Sequence, residues 1–486
     1  MCYYCLNMSH YTPTIGLEIH AELKTNSKMF SGSPNNPDEE KPNANINPID
    51  LAHPGTLPTI NKKALEHMVR IGLAVNGRIA NFTEFDRKNY FYPDIPKGYQ
   101  ISQYKYPIVE NGTLGGVDVT RVHLEEDTGT SKHDQGPRSL VDYNRAGVPL
   151  MELVTEPVIH SAEHAAQFAR ELQLLLRYLG ASDANMEKGE MRVEINISLS
   201  DTEELGTKVE VKNINSFKAA ERAINFEIER MTALLDAGKG DEIIQETRGW
   251  NENTNETFSQ RKKESAHDYR YFPEPDLPKL YLHDMFDIES MKKELPVLPW
   301  HRREKYIEQG LNPDHAEIFV REDTLGSFYD EVVVANKEGG SEKESRKFAQ
   351  SAANYITSDL APLIVDASKE NKEINLPEPR YFHELITMIL DGEISSRGAK
   401  DILAIMITKN KSAREIADEH GLIQKNDEGE LLTVVKQIIN DNPSVVEEYR
   451  AGKETSIQFL VGQGMKATKG SANPGMLIQL LKKELG

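Results

Sequence analysis

The chain has 486 residues, with 57 Lys and Arg against 77 Asp and Glu, a formal charge of −20, 38% hydrophobic residues and two cysteines. At about 100–200 residues per domain this length holds several domains with cores of their own, and no apolar run approaches the roughly 18 residues of a membrane span. The acidic balance excludes broad electrostatic binding of nucleic acid, which rests on Lys and Arg neutralising phosphates, so any such contact is local.

The opening MCYYCLNMSH has no basic stretch followed by a long apolar run, so it does not read as a secretory leader; Met8 is an alternative start, and residues 1–10 are expected to lie outside the fold. Cys2 and Cys5 form a Cys-x-x-Cys pair with no second pair to complete a zinc site or a disulfide framework, which fits a reducing, cytoplasmic setting. Over 11–294, short β-like runs alternate with Gly, Pro and Asn turns, broken by helical spacing near 61–76 and 161–180. Two prolines in LPVLP (295–299) then interrupt the pattern, and helical spacing dominates 301–309, 313–336, 344–368, 380–391 and 395–406. After a weaker break at TKNKS (408–412), short helices are expected at 412–420, 430–440, 443–451, 454–468 and 473–485. The expected class is α+β: an antiparallel-sheet domain over 11–294, an all-helical domain over 295–408 and a small helical tail over 409–486.

The first domain carries four runs of strict alternation. In TIGLEIHAEL, Ile15, Leu17, Ile19, Ala21 and Leu23 oppose Glu18, His20 and Glu22; in TRVHLEED, Val122 and Leu124 oppose His123 and Glu125. In MRVEINISL, Val193, Ile195, Ile197 and Leu199 oppose Arg192, Glu194, Asn196 and Ser198; in KVEVKN, Val209 and Val211 oppose Lys208, Glu210 and Lys212. One-sided alternation marks antiparallel strands with one buried face. A single polar face is ordinary solvated surface. Several together, on strands about 4.8 Å apart, would crowd like-charged carboxylates and call for cations. Oxygen ligands with one imidazole suit Mg²⁺ or Mn²⁺, and Mg²⁺ characteristically shares its coordination with substrate phosphates. The reading is a metal-nucleotide platform on a sheet, built without a G-x-x-x-x-G-K-[ST] loop, a G-x-G-x-x-G turn or an H-E-x-x-H pair, none of which occurs.

DRKNYFYPD (86–94) and DYRYFPEPD (268–276) crowd aromatic residues against proline turns. Each is either a core cluster or a pocket wall, in which Lys88 or Arg270 meets a phosphate or the terminal adenosine of an RNA while Tyr90, Tyr92, Tyr269 or Tyr271 stacks. QETRGW (245–250) puts Glu246 and Arg248 on one face.

Together, GLEIHAELKTNSKMFSGSP (16–34), DRKNYFYPDIPKGYQISQ (86–103), RVHLEEDTGTSKH (121–133), DYNRAGVPLMELVTEP (142–157), VEVKNINSF (209–217), QETRGW (245–250) and DYRYFPEPDLP (268–278) strongly resemble the GatB family, the B subunits of the bacterial tRNA-dependent aspartyl/glutamyl amidotransferases. The resemblance runs on through ISSRGAKDIL (394–403) to VGQGMKATKGSANP (461–474). It implies a heterotrimer with an amidase and a small third subunit, in which ammonia released from glutamine by the amidase reaches the GatB chain. There ATP phosphorylates the side-chain carboxylate of Glu on tRNA(Gln), or Asp on tRNA(Asn), before amidation. It also implies a cradle domain with a glutamine-synthetase-like core, then a helical domain and a tail that binds the tRNA elbow. On this resemblance Glu18, His20, Glu125, Glu194 and Glu210 hold Mg²⁺, with Glu18, His20, Glu125 and Glu210 central to catalysis. Lys88, Lys212, Arg248 and Arg192 are expected to contact ATP phosphates, and Tyr90, Tyr92, Arg270, Lys466 and Lys469 to contact tRNA.

Many members of that family carry cysteine pairs for a structural zinc in the segment matching 31–58, which here contains no cysteine, so no structural zinc is expected. The loop is expected to rest on its prolines, Asn-rich turns and packing of Ile49, Leu51 and Leu57. Two other classes remain to be weighed: a tRNA-binding scaffold whose chemistry sits in its partner, and a free-standing metal-dependent ligase for a small amino acid. The acidic face speaks against the first, and the second leaves the ammonia source unexplained.

Overall fold

A computed structural model describes residues 10–136, 138–262, 269–334, 341–369, 376–409, 411–424, 428–468 and 472–486. Cys2, Cys5, Met8 and Lys469 therefore lie outside the described residues. The described chain falls into two compact units that part between Pro299 and Trp300.

The first unit is built on one ten-stranded sheet. The elements that bear on the site are, in chain order, β1 (Thr12–Glu22), α1 (Lys62–Ala74), β2 (Arg78–Ile79), β3 (Asp86–Asn89), β4 (Tyr99–Ser102), β5 (Val109–Glu110), β6 (Thr113–Leu114), β7 (Val117–Glu126), β8 (Pro149–Thr155), α2 (Ala162–Tyr178), β9 (Met191–Ser200), β10 (Val209–Ile214), α3 (Phe217–Asp236), β11 (Glu246–Asn251), β12 (Glu256–Lys262) and β13 (Phe272–Pro273). The large sheet runs β12-β11-β10-β9-β1-β8-β7-β5-β2, with β6 paired to β7, while β13-β3-β4 form a small separate sheet. Every ladder of the large sheet is antiparallel except β10–β11, where α3 makes the crossover a parallel pair requires.

The alternation read from sequence becomes the sheet's two faces. Ile15, Leu17, Ile19, Val193, Ile195 and Ile197 are buried on one. Each fully buried aliphatic side chain contributes about 1.5–3 kcal/mol. The helices over the sheet begin at strong caps: Ser161 accepts from His164 N for α2, and Ser216 from Ala219 N for α3. The sequence reading missed α3 altogether. Its buried stripe is Ala219, Ala220, Ala223, Ile224, Glu227 and Met231, in which three alanines and a glutamate give little apolar signal.

A bulge interrupts the β9–β10 ladder, so that Lys212 and Asn213 together oppose Glu194, and Asn213 takes φ +65°. That kink aims Lys212 at Glu194. A β-branched side chain does not tolerate the left-handed region, so Asn213→Val is expected to cost about 1–3 kcal/mol and Asn213→Gly almost nothing, as urea unfolding of the two variants will measure.

The loop over 24–61 is stapled by polar groups. Lys28, fully buried, donates to Tyr143 O at 3.1 Å and lies 3.8 Å from Asp50; Ser33 Oγ donates to Asp50 at 2.6 Å; Asn45 N donates to Asn144 Oδ1 at 2.8 Å. Leu57 is 62% exposed and so adds little of the expected packing; the loop's buried apolar side chains are Met29 and Phe30 instead.

The second unit is helical. The run expected over 313–336 is two helices, Pro313–Arg321 and Asp323–Val334, because Glu322 leaves helical geometry at φ −101°, ψ 80°. The run over 344–368 contains a π-turn at Ile356–Leu360, just before Pro362, whose missing N–H and ring displace the regular bonding of the preceding turn. Helix Ala413–His420 packs on Ser396–Lys409 and on Pro379–Leu390. The last four helices, from Glu428 onward, share a core of Leu431, Val435, Leu460, Leu477 and Leu481. Among the described residues no helix is long and apolar enough to cross a membrane.

Candidate active site

The polar face of the sheet gathers its charged groups on neighbouring strands through register. Glu18 on β1 stands directly opposite Glu194 on β9, and His20 opposite both Arg192 on β9 and Glu152 on β8. Glu152 in turn opposes His123 on β7, and Asn196 opposes Glu210 on β10. Side chains opposed across a ladder share a face, so these strands build one surface.

Two ligand-like groups result, each with donor atoms within 4.8 Å of one another: Glu18, Glu194 and Glu210 on one side, and Glu152 with His20 and Glu18 or with His123 and Glu125 on the other. His20 Nε2 lies 3.4 Å from Glu152 Oε2 and 3.9 Å from both Glu18 and Glu125, and His123 Nε2 lies 3.2 Å from Glu152. Glu125 is 2% exposed, and its Oε2 is buried without a hydrogen-bond partner. A buried carboxylate oxygen left unpaired carries a large desolvation cost that a bound cation relieves. Together with the hard oxygen donors and imidazoles, this makes the residues fit Mg²⁺ or Mn²⁺.

The titrations report the same crowding. Burial, then the charges of Glu152 and Glu194, push Glu18 up to about 7. For His20, burial works against the charged ring, but Glu152, Glu194 and Glu125 outweigh it and raise the imidazole to about 9. Glu152 is likewise buried at a cost, yet His123 and His20 hold it well below the usual carboxylate range.

Cations border the carboxylates. Lys212 Nζ sits 2.6 Å from Glu194 and 3.7 Å from Glu210, and Thr247 Oγ1 donates to Glu210 at 2.6 Å. Arg192 makes two 3.1 Å bonds to Asp127, beyond His20 along the same face. At the β7 end, Lys88 on β3 lies 5.4 Å from the Tyr269 ring centre and 6.0 Å from that of Tyr90. Burial opposes its charge, but Glu125, Tyr271 and Glu152 outweigh that and hold the ammonium well above the ordinary lysine range. Tyr271 stacks on Tyr104 with centroids 4.4 Å apart.

Of the residues named from sequence, the structure brings Glu18, His20, Glu125, Glu194, Glu210, Lys212 and Lys88 close together. Arg248 is a correction: it points to the opposite, helix-covered face, where it pairs with Glu246 at 2.6 Å and Glu227 at 3.3 Å. Thr247, beside it, is the residue turned toward Glu210. Tyr90 belongs to the tyrosine cluster, whereas Tyr92 and Arg270 are exposed side chains outside these contacts, and Lys466 is exposed in the helical unit. Missed were Glu152 and the partnership of His123 with it. His123 was already on the polar face by alternation; Glu152, in PLMELVT, is a lone carboxylate whose neighbours on both faces are apolar.

A sheet face that combines an all-carboxylate group and a carboxylate–imidazole group with flanking lysines is of the kind that suits hard cations beside anionic groups. The model of the GatB/GatE catalytic domain matches residues 13–287, and that of the GatB domain matches 341–485. Over 486 aligned residues the chain is 44% identical to the B subunit of the aspartyl/glutamyl-tRNA(Asn/Gln) amidotransferase of Thermodesulfovibrio yellowstonii, covering 98% of this chain and 99% of the relative. The protein of the same name from Caldanaerobacter subterraneus subsp. tengcongensis is also 44% identical, with the same coverage, and that of Rickettsia bellii is 42% identical over the whole of both chains. The chain belongs to the GatB/GatE family.

Proposed function

We propose that the chain is the B subunit of a cytoplasmic, heterotrimeric aspartyl/glutamyl-tRNA(Asn/Gln) amidotransferase, working with an amidase and a small third subunit. Its sheet domain is the cradle, with a glutamine-synthetase-like core, and its helical end carries the tail for the tRNA elbow. The reaction runs in two displacements. A side-chain carboxylate oxygen of Glu on tRNA(Gln), or Asp on tRNA(Asn), attacks the γ-phosphorus of ATP; the bond to the β-phosphate oxygen breaks and ADP leaves. Ammonia from the amidase then attacks the acyl carbon, phosphate departs with the carbon–oxygen bond electrons, and the amide is formed.

The chain's residues explain why both steps are held here. A bare carboxylate resists attack by ammonia because it lacks a leaving group, and phosphorylation supplies one. Glu18, His20, Glu125, Glu152, Glu194 and Glu210 would hold Mg²⁺, which when bound supplies positive charge against the phosphate oxygens. Lys212 on one flank and Lys88 on the other supply fixed cations in a partly buried setting, where positioning and electrostatics carry most of phosphoryl transfer. Tyr90, Tyr92 and Arg270 would receive the tRNA 3′ end, and Lys466 and Lys469 would meet its elbow with modest, salt-sensitive affinity.

The observation that carries this reading is the convergence of the two carboxylate groups on one face, which repels RNA unless cations intervene and so has no role in a passive scaffold. The test is ATP hydrolysis by the assembled complex with and without Glu-tRNA(Gln) or Asp-tRNA(Asn) at matched Mg²⁺. Stimulation by one charged tRNA is expected and names the substrate. No stimulation by either would return the scaffold reading.

A further inference from the structure

The row of functional side chains does not stop at Glu210. On the same face, Thr247 binds Glu210, and two residues on, Gly249 stands opposite Lys212 in the parallel ladder. Gly249 is in turn directly opposite Phe258 on β12, the edge strand of the sheet. A Cβ at residue 249 would lie 2.8 Å from Phe258 Cζ and 2.4 Å from Gln260 Nε2, so both side chains lean over the bare backbone of that glycine. The ladder slips between Thr247 and Arg248, leaving Gln260 as the unpaired extra residue beside this ring. Phe258 is thus backed by backbone on one side and still 47% exposed.

We infer that Phe258, supported on Gly249, is the surface on which the purine of ATP stacks, with the Gln260 amide at the base edge and the phosphates running back along Thr247 and Lys212 to the carboxylates. This rests on the ATP-dependent reading above and adds where the base lies. Two inter-strand spacings, about 10 Å, separate the Glu210 row from Phe258, a gap suited to a ribose and phosphate chain. An aromatic ring open on one face suits any nucleobase, and an amide that both donates and accepts can meet a purine edge. The opposite end of the row is already furnished with Lys88 and its tyrosines. Nucleotide and aminoacyl-tRNA would then reach the carboxylates from opposite ends of one sheet. A ring over a glycine at a sheet edge also protects the strand pair, so the experiment must separate the two roles.

The assembled complex carrying Phe258→Ala or Phe258→Trp is assayed for transamidation with ATP and charged tRNA varied in turn, for inhibition by inorganic tripolyphosphate, and for melting temperature. The expected result is a KM for ATP raised about tenfold in Phe258→Ala, with kcat, the KM for charged tRNA and tripolyphosphate inhibition near wild type, and with Phe258→Trp restoring the KM. An unchanged KM for ATP with a lowered melting temperature would overturn the proposal and leave the ring as a cover for Gly249. A raised KM for charged tRNA in place of ATP would overturn it in favour of the tRNA's terminal base. Failure of the wild-type complex to turn over ATP with any charged tRNA would instead remove the ATP reading itself.

Discussion

Glu152→Gln is expected to lower ATP-dependent transamidation by the assembled complex about a thousandfold while glutamine hydrolysis by the amidase partner stays intact. Glu152 is 5% exposed and stands between two imidazoles, with His20 Nε2 at 3.4 Å and His123 Nε2 at 3.2 Å, and with Arg121 at 3.8 Å. The amide keeps the volume and the packing but removes the charge. Both rings then lose the anion that orients them, and one of the proposed cation ligands goes with it. Because the shape is retained, the melting temperature should move little. A variant that keeps a tenth of wild-type transamidation would show that Glu152 only packs between the histidines.

Arg248→Ala should act on stability and leave the KM for ATP unaltered. Its guanidinium reaches Glu246 at 2.6 Å, the Thr257 hydroxyl at 2.8 Å and Glu227 at 3.3 Å. Glu227, on the buried side of α3, is otherwise neutralised by Arg230 at 2.7 Å. Removing one partner of a buried ion pair leaves an uncompensated charge, which costs about 3–5 kcal/mol. Guanidinium chloride unfolding and ATP saturation curves measured on the same variant decide the matter: a shifted KM with unaltered unfolding would return Arg248 to the phosphate contacts.

These two residues mark where the sequence could be read and where it could not. Glu18, His20, Glu194 and Glu210 were legible because one-sided alternation survives in a sheet with one buried face, and their crowding followed from strand spacing alone. Glu152 was silent because Leu150 and Val154, on its own face, are as apolar as the neighbours that point into the core. For Arg248 the pairing with Glu246 on one face was visible, but which side of the sheet that face joins depends on Thr247 meeting Glu210 in a parallel ladder across the α3 crossover. A shift of one residue would exchange the two, and no local pattern sets it. The change from strands to helices near 295–299 was legible from prolines and spacing, whereas α3 was hidden by its alanine stripe.

The central place of β1 has a consequence for how the protein is made. The strand leaves the ribosome long before its ladder partners, which are β8, where Glu18 meets Val154, and β9, where it meets Glu194. At about 5–20 residues per second of synthesis, a strand with one wholly apolar side therefore waits about 6–26 seconds before the first of these ladder partners exists. During that interval Ile15, Leu17 and Ile19 have no core to enter, and the chain is most exposed to association with other nascent chains. The same delay means that the Glu18–Glu194–Glu210 group cannot assemble in a truncated product ending before β9, since Glu194 and Glu210 lie on β9 and β10. A prematurely released fragment would thus be sticky while lacking the all-carboxylate half of the face.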